Sequence, residues 1–396
     1  MKILIANENV FGGGTESQVS AEVDLLRRKG HEVHLVTYDP TYEGESLFEE
    51  HVNVSFTQCS GLRKWLYQLL GEREFGKRLA AAIVEIHPDA IHLNNVFSRP
   101  RDVYAAVKPW PVLQTLRDYS VICPRDVCCD GSWRECGGWR YHGDISCQPH
   151  AVCALQHCKL EAINGFRARA VDKMVSCSAR MAEKCGENGL DVEQLRDLLA
   201  PERIFKDVAI HNGSFLYYGR LAEEKGTGVL LEAFDIFAQK VPNAHLMLAG
   251  SVEPKFNDVL NRFKDRPWFE YLGLLNLEEL KRVYTRTFAV VVPSLWLDNY
   301  PNTALEAMAN NTLVIGSNRG GLPEMLGRDE LLFDPLEKYS LVERLVWSWN
   351  LSKDEYNEIV AERCVATRAL ASENAYYEGL MAGFEDAIAL HREMGV

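Results

Sequence analysis

Short apolar runs alternate along the chain with stretches in which apolar residues recur at helical spacing. KILIAN at residues 2–7 is a strand-type run, and after FGGGTESQ the residues Val19, Val23, Leu25 and Leu26 fall on one helical face. Gly30 ends that helix, and EVHLVTYD reads as a second buried strand. A strand, a glycine-rich turn, a helix and a strand make up the building block of a parallel sheet. Residues 61–86 predict one amphipathic helix, followed by strands in PDAIHLNN, PVLQTLRD and VDKMVSCS.

The pattern restarts near His211. FLYYGRL predicts a strand and turn, GTGVLLEAFDIFAQK a helix and AHLMLAG a strand. WFEYLG and FAVVVPS are strands around the helix LEELKRVY; TALEAMANN is a helix, and LVIGS and LLFDP are the last strands. The second half thus repeats the architecture of the first without repeating its sequence. We expect an α/β first domain over 1–200 and a second over 211–375, divided within the polar stretch 189–213. A last helix, 376–396, is expected to pack back on the first domain. In such sheets ligands sit at the carboxyl ends of the strands.

A length of 396 residues suits two domains of this size. With 47% apolar and 25% charged residues the chain reads as globular, and a net charge of -13 weighs against nucleic acid as a partner. No apolar run is long enough for a membrane span, and the first residues lack a signal-peptide pattern. The expectation is a cytoplasmic protein whose 11 cysteines are mostly thiols.

The most informative chemistry lies in PSLWLDNYPNTALEAMANN. Asp298 in a loop and Glu306 in the following helix can each accept two hydrogen bonds from a sugar diol, and the helix start offers N–H groups to a phosphate. The plain alternative is a loop acid and a solvated helix residue. GRLAEEKG places Arg220 and Lys225 in the loop after the first strand of the second domain, where they could neutralise a diphosphate. The alternative is a surface pair bridging to Glu223 and Glu224.

Taken in order, GGGTESQV with GHEVHLVT, PDAIHLNN, TLRDYSVICPR, YYGRLAEEKG and the block from Asp298 to Glu324 resemble the retaining glycosyltransferases of family 4 over nearly the whole length. The resemblance implies a GT-B fold, with two Rossmann-like doubly wound domains facing a central cleft. It implies a donor that is a nucleoside diphosphate sugar, UDP- or GDP-linked first of all, a hexose-type transfer with retention, and no catalytic cofactor. Arg220 and Lys225 match the diphosphate-binding pair, and Glu306 matches the second glutamate of the E-x7-E motif, which holds the ribose. Asp298 stands at the first glutamate's position, one methylene shorter. Tyr300, Asn302 and Thr303 match the loop that touches sugar and phosphate, although Pro301 has no N–H to give. Gly13 and Gly14 match the glycine pair that approaches the donor phosphates. Arg117-Asp118 stands where many members have His-Asp; Arg117 is either a charge stabiliser for the leaving phosphate or simply the partner of Asp118.

Other features leave alternatives open. Cys123, Cys128, Cys129, Cys136, Cys147, Cys153 and Cys158 crowd residues 123–158, with three histidines nearby but no C-x2-C pair. The segment is an insertion holding packed thiols, disulfides, or a structural zinc or iron–sulfur cluster, and it is expected to shape the acceptor pocket. Arg63, Lys64, Arg73, Lys77 and Arg78 beside Trp65, Tyr67 and Leu69 suit either peripheral contact with an anionic membrane or the solvated face of a packed helix. Gly12, Gly14 and Asp39 partly imitate a dinucleotide fingerprint, but Ser17 replaces its third glycine, which disfavours an NAD-dependent oxidoreductase. A non-catalytic nucleotide-sugar-binding protein is the further alternative. The sequence leaves the donor base and sugar, the acceptor, the linkage and the oligomeric state open.

Overall fold

A computed structural model describes the chain apart from residues 10–13, 41–49, 125, 137–149, 206–208, 212 and 396, and apart from the side chains of 150–154. It divides into two compact units. The first comprises Met1–Gly131, Cys136–Leu198 and Glu373–Val396; the second comprises Ser132–Glu135 and Leu199–Ser372.

The strands of the first unit are β1 (Lys2–Asn7), β2 (Glu32–Thr37), β3 (His51–Asn53), β4 (Ala90–Leu93), β5 (Val112–Leu116), β6 (Lys173–Ser176) and β7 (Glu193–Gln194). They form one sheet in the order β3-β2-β1-β4-β5-β6-β7, with every pair parallel. Between them run α1 (Gly14–Arg28), α2 (Gly61–Leu70), α3 (Arg73–Ile86), α4 (Pro100–Val107), α5 (His150–Arg167) and α6 (Ala179–Glu187). The sheet is buried on both faces, as crossover helices require. Ile3, Ile5, Val23 and Leu113 pack on one side, and Leu4, Val36, Phe75, Leu79 and Ile91 on the other.

The second unit holds β8 (Ser214–Tyr218), α7 (Thr227–Lys240), β9 (Leu246–Ala249), α8 (Asn257–Asn261), β10 (Phe269–Tyr271), α9 (Leu277–Tyr284), β11 (Thr287–Val292), α10 (Asn302–Ala309), β12 (Leu313–Ser317), α11 (Leu322–Leu326), β13 (Leu332–Phe333), α12 (Ser340–Trp349) and α13 (Lys353–Leu370). Its sheet is parallel with order β10-β9-β8-β11-β12-β13. The core is aromatic: Phe215 lies 5.3 Å from Phe288, ring centre to ring centre, and Phe288 stacks on Tyr356 at 5.1 Å. Both units are doubly wound, so each is Rossmann-like.

The last helix, α14 (Glu373–Glu393), belongs to the first unit. Tyr376, Leu380, Phe384 and Ala387 join the core formed by β1 and α1. Tyr376 donates to Glu22 at 2.6 Å, and Asp172 lies 3.2 Å from the His391 ring.

The single helix expected over 61–86 is two. Gly71 takes φ +80 and its N–H closes on the Tyr67 carbonyl, ending α2. The Glu72 amide then turns to the Asp102 carboxylate at 2.6 Å, and α3 begins at Arg73. A Cβ at Gly71 would lie 2.4 Å from that same carboxylate, so the break requires glycine.

Candidate active site

In the second unit the strand order reverses between β8 and β11, and the loops leaving those two strands are stitched together. Leu295 donates to the Glu224 carbonyl at 2.9 Å. Gly226, at φ +68, lies so close to Pro293 that a Cβ would come within 1.7 Å of its carbonyl oxygen. Gly226→Ala is therefore expected to destabilise the protein by at least about 2 kcal/mol, read from denaturant unfolding, since no side chain relaxation relieves a backbone clash.

Lys225, held in this loop, reaches across to the β11 side. Its ammonium lies 2.8 Å from Asp298 Oδ2 and 4.6 Å from the centre of the Trp296 ring. The same oxygen accepts from Ser294 at 3.0 Å and from the Trp296 indole at 3.2 Å. Asp298 is buried, and its carbonyl accepts from the Gly321 amide at 2.8 Å, which ties the loop to the start of α11. Three donors on one carboxylate oxygen fix the side chain firmly. Arg220 follows β8 by two residues. It donates to Glu224 and Glu253, and Tyr217 donates to its carbonyl at 2.6 Å. The surface pairing expected as the alternative is thus half present: Arg220 does bridge to Glu224, whereas Lys225 pairs with Asp298.

Glu306 is the fifth residue of α10, which Pro301 introduces in extended conformation. Tyr218, the last residue of β8, donates to Glu306 Oε2, and Arg203 lies 3.7 Å from Oε1. Burial raises the Glu306 carboxyl above its ordinary range, with Arg203 pulling the other way. Thr303 in the first turn donates to the Tyr218 carbonyl at 3.2 Å, so the helix start is pinned to the end of β8. Asn302 and Thr303 sit in this first turn, and Tyr300 is buried just before it. The structure therefore brings Arg220, Lys225, Asp298, Thr303 and Glu306 to the carboxyl end of β8 and β11. Tyr218, Arg203, Ser294 and Trp296 complete the group and were not singled out from the sequence. Tyr218 and Trp296 lie inside quoted motifs, yet nothing in their spacing marks them.

The first unit has a matching reversal between β1 and β4. Glu8 accepts from the Phe97 and Ser98 amides at 2.7 and 2.9 Å, joining the loops after the two strands. Gly14 is the exposed first residue of α1; Gly13 lies outside the described residues. A cavity of about 560 Å³ opens in this unit, with Lys64, Trp65, Gln68, Phe97, Asp126 and Lys159 among its lining.

Arg117 does not pair with Asp118. Successive side chains at a strand end point to opposite faces. Arg117 turns to the buried Asp197, with Asn94 accepting at 3.3 Å. Asp118 instead caps the next turn, accepting from the Ser120 amide at 2.8 Å. Burial works against the Arg117 charge, but Asp197 outweighs it and holds the guanidinium above its ordinary value. Beside this pair, His92 lies 2.6 Å from Glu22 and 2.7 Å from Thr115. Burial would raise the Glu22 carboxyl; His92 and then Tyr376 outweigh it, so the group is held low.

In the cysteine-rich segment Cys128 lies 3.8 Å from Cys136, sulfur to sulfur. Hydrogen bonding to Cys123 and Cys136, then burial, keeps the Cys128 thiol protonated. Among the described residues no group of three or more His, Cys, Asp or Glu side chains is placed to hold a metal ion. Cys147 lies outside the described residues, as does the side chain of Cys153, while Cys129 is buried and Cys158 exposed.

Residues 13–196 match the glycosyl transferase 4-like domain, and residues 212–350 match glycosyl transferases group 1. Mannosylfructose-phosphate synthase of Agrobacterium fabrum is 30% identical over 138 residues, which cover 32% of this chain and 30% of that protein. The matched segments span between 28% and 44% of the length of the first curated relatives. Among solved structures, sucrose-phosphate synthase from Thermosynechococcus elongatus superimposes with a TM-score of 0.73 over 98% of this chain and 99% of that one, at 16% identity. HepE of Anabaena in complex with UDP-glucose gives 0.71 over 97% and 99%, at 14% identity. These likenesses show the fold. With both domain matches, the chain belongs to the GT-B glycosyltransferases.

Proposed function

We propose that the chain is a retaining glycosyltransferase that moves a hexose from a nucleoside diphosphate sugar to an acceptor hydroxyl. The observation that carries this reading is the junction of Lys225 with Asp298 at the strand-order reversal of the second unit. Beside it, at the ends of the same two strands, lie the α10 start and Glu306. Arg220 and Lys225 hold the diphosphate, aided by the amides of Asn302 and Thr303 at the helix start. Glu306, oriented by Tyr218, accepts from the ribose hydroxyls. Asp298 meets the sugar with the oxygen that Lys225 leaves uncommitted.

The site offers cations and amides where charge builds on a departing diphosphate, and such preorganised donors supply much of an enzyme's rate. Departure of the nucleotide from the face that the acceptor attacks gives retention. The diphosphate oxygen takes the acceptor proton, so the site needs no strong protein base. The UDP-glucose complex of HepE and the sugar-phosphate products named for two relatives support a nucleotide-linked hexose as donor.

A thermal-shift screen over UDP-, GDP-, ADP- and dTDP-sugars tests the donor. A single nucleotide series should raise the unfolding temperature, because a ligand that binds only the folded state stabilises it by mass action. Glu306→Ala should raise the donor concentration needed for half the shift by about 10- to 100-fold, the loss of hydrogen bonds to a charged group. Equal affinity in that variant would remove Glu306 from the site. Proton NMR of the first product gives the anomeric configuration, and an inverted product would overturn retention. A chain that binds donor yet releases no nucleotide with any acceptor, or by hydrolysis, would be a binding protein.

A further inference from the structure

Helix α2 is turned inside out. On most helices here the apolar face packs inward, as Phe75, Leu79, Ile83 and Ile86 do on α3. On α2 the one buried side chain is Gln68, whose amide donates to the Phe97 carbonyl at 2.6 Å. Leu62, Leu66 and Leu70, spaced four apart and so aligned along one face, are 73%, 39% and 64% exposed. Trp65 and Leu69 flank that ridge and are only partly covered. An ordinary packed helix with a solvated basic face would bury these leucines, and this one does not.

The charges around the ridge are mostly positive. Arg63 and Lys64 are exposed on α2 itself, and Arg73 is exposed at the start of α3. Residues 61–78 carry five cations against two acids, in a chain whose net charge is -13. Of the two acids, Glu72 is committed to Arg99 and Thr57, and Glu74 faces Lys77 at 3.6 Å. Lys64 also lines the 560 Å³ cavity together with Lys159, where both ammonium groups act on the Asp126 carboxylate. Asp126 and Glu8 line the same cavity, but Glu8 is taken up by Ser98 and the Phe97 amide.

We propose that the Leu62–Leu66–Leu70 face of α2 docks on an anionic lipid bilayer, with Trp65 and the leucines entering the interface and Arg63, Lys64 and Arg73 meeting the headgroups. A short helix with leucine and tryptophan on one side and cations beside them has the composition of an interfacial helix, which lies in the membrane plane without crossing it. Charge complementarity selects the occupant: a surface of phosphates answers an excess of cations, and each such residue adds attraction that salt screens. A bilayer also moulds to a convex ridge, whereas a stable protein partner needs about 800 Å² of fitted surface per side. The docking places the Lys64 rim of the cavity at the headgroup layer.

The test is co-sedimentation of the full chain with vesicles of phosphatidylcholine alone and with vesicles that also contain phosphatidylglycerol. The chain should pellet with the mixed vesicles, less so as salt rises, and hardly with the neutral ones. The triple variant Leu62→Ser, Leu66→Ser, Leu70→Ser should lose about a hundredfold in partitioning while its unfolding temperature stays put, because the replaced side chains are exposed. Val365→Ser, at a site 72% exposed on α13, should bind as the parent does. The proposal fails if the folded triple variant pellets like the parent, or if the parent ignores both vesicles. It fails equally if size-exclusion chromatography shows a parent dimer that the triple variant loses without any vesicle binding, since the face would then join two copies of the chain.

Discussion

Replacing Arg220 and Lys225 together by alanine is expected to lower sugar transfer by at least about a thousandfold while leaving the fold intact. Removing one preorganised donor to a developing charge costs about 10²–10³ in rate, and the double change strips both cations from the diphosphate. The effect on stability should be small for separate reasons at the two positions. Arg220 is half-exposed, so its bridges to Glu224 and Glu253 are surface pairs worth about 0–1 kcal/mol. Lys225 leaves behind an Asp298 that still has Ser294 and Trp296 as donors. Initial rates with the donor found by thermal shift, beside an unfolding curve of the same preparation, separate the two effects. Near-parental turnover in a folded double variant would remove the diphosphate role from this pair.

Arg117 should behave in the opposite way. Its guanidinium and the Asp197 carboxylate are both buried, so Arg117→Leu leaves a carboxylate stranded in the interior. Breaking such a pair costs about 3–5 kcal/mol, whereas replacing both partners by apolar groups is often close to neutral. The single variant should therefore unfold about 10 °C lower, by the usual conversion for a unit of this size. Arg117→Leu combined with Asp197→Leu should recover most of that loss. If the single variant keeps its unfolding temperature and loses transfer instead, Arg117 acts on the substrate and the pair is incidental.

Local sequence encodes the elements of this fold but not the pairings between them. The strands were legible because each parallel strand buried on both faces is an unbroken apolar run, as in LVIGS and FAVVVPS. The positions of Lys225 and Asp298 were legible as loop residues at strand ends, but their contact was not, since 73 positions separate them and only the order of the sheet brings β8 beside β11. The Arg117–Asp197 pair was hidden for the same reason, over 80 positions. Adjacency in sequence suggested Asp118, and the alternation of side chains at a strand end ruled it out. The interruption at Gly71 was missed because the amphipathic pattern runs on through it. What signals the break is a long-range carboxylate, Asp102, that no local window contains.

The return of α14 to the first unit has a consequence for how the protein is made. Tyr376, Leu380 and Phe384 emerge from the ribosome only after every residue of the second unit, yet they fill the interior against β1, β5 and α1. The second unit can collapse during synthesis with its own core complete. The amino-terminal unit has to wait, its sheet lacking one covering helix and its Glu22–His92 pair lacking the Tyr376 hydroxyl, until α14 has been synthesised and can dock.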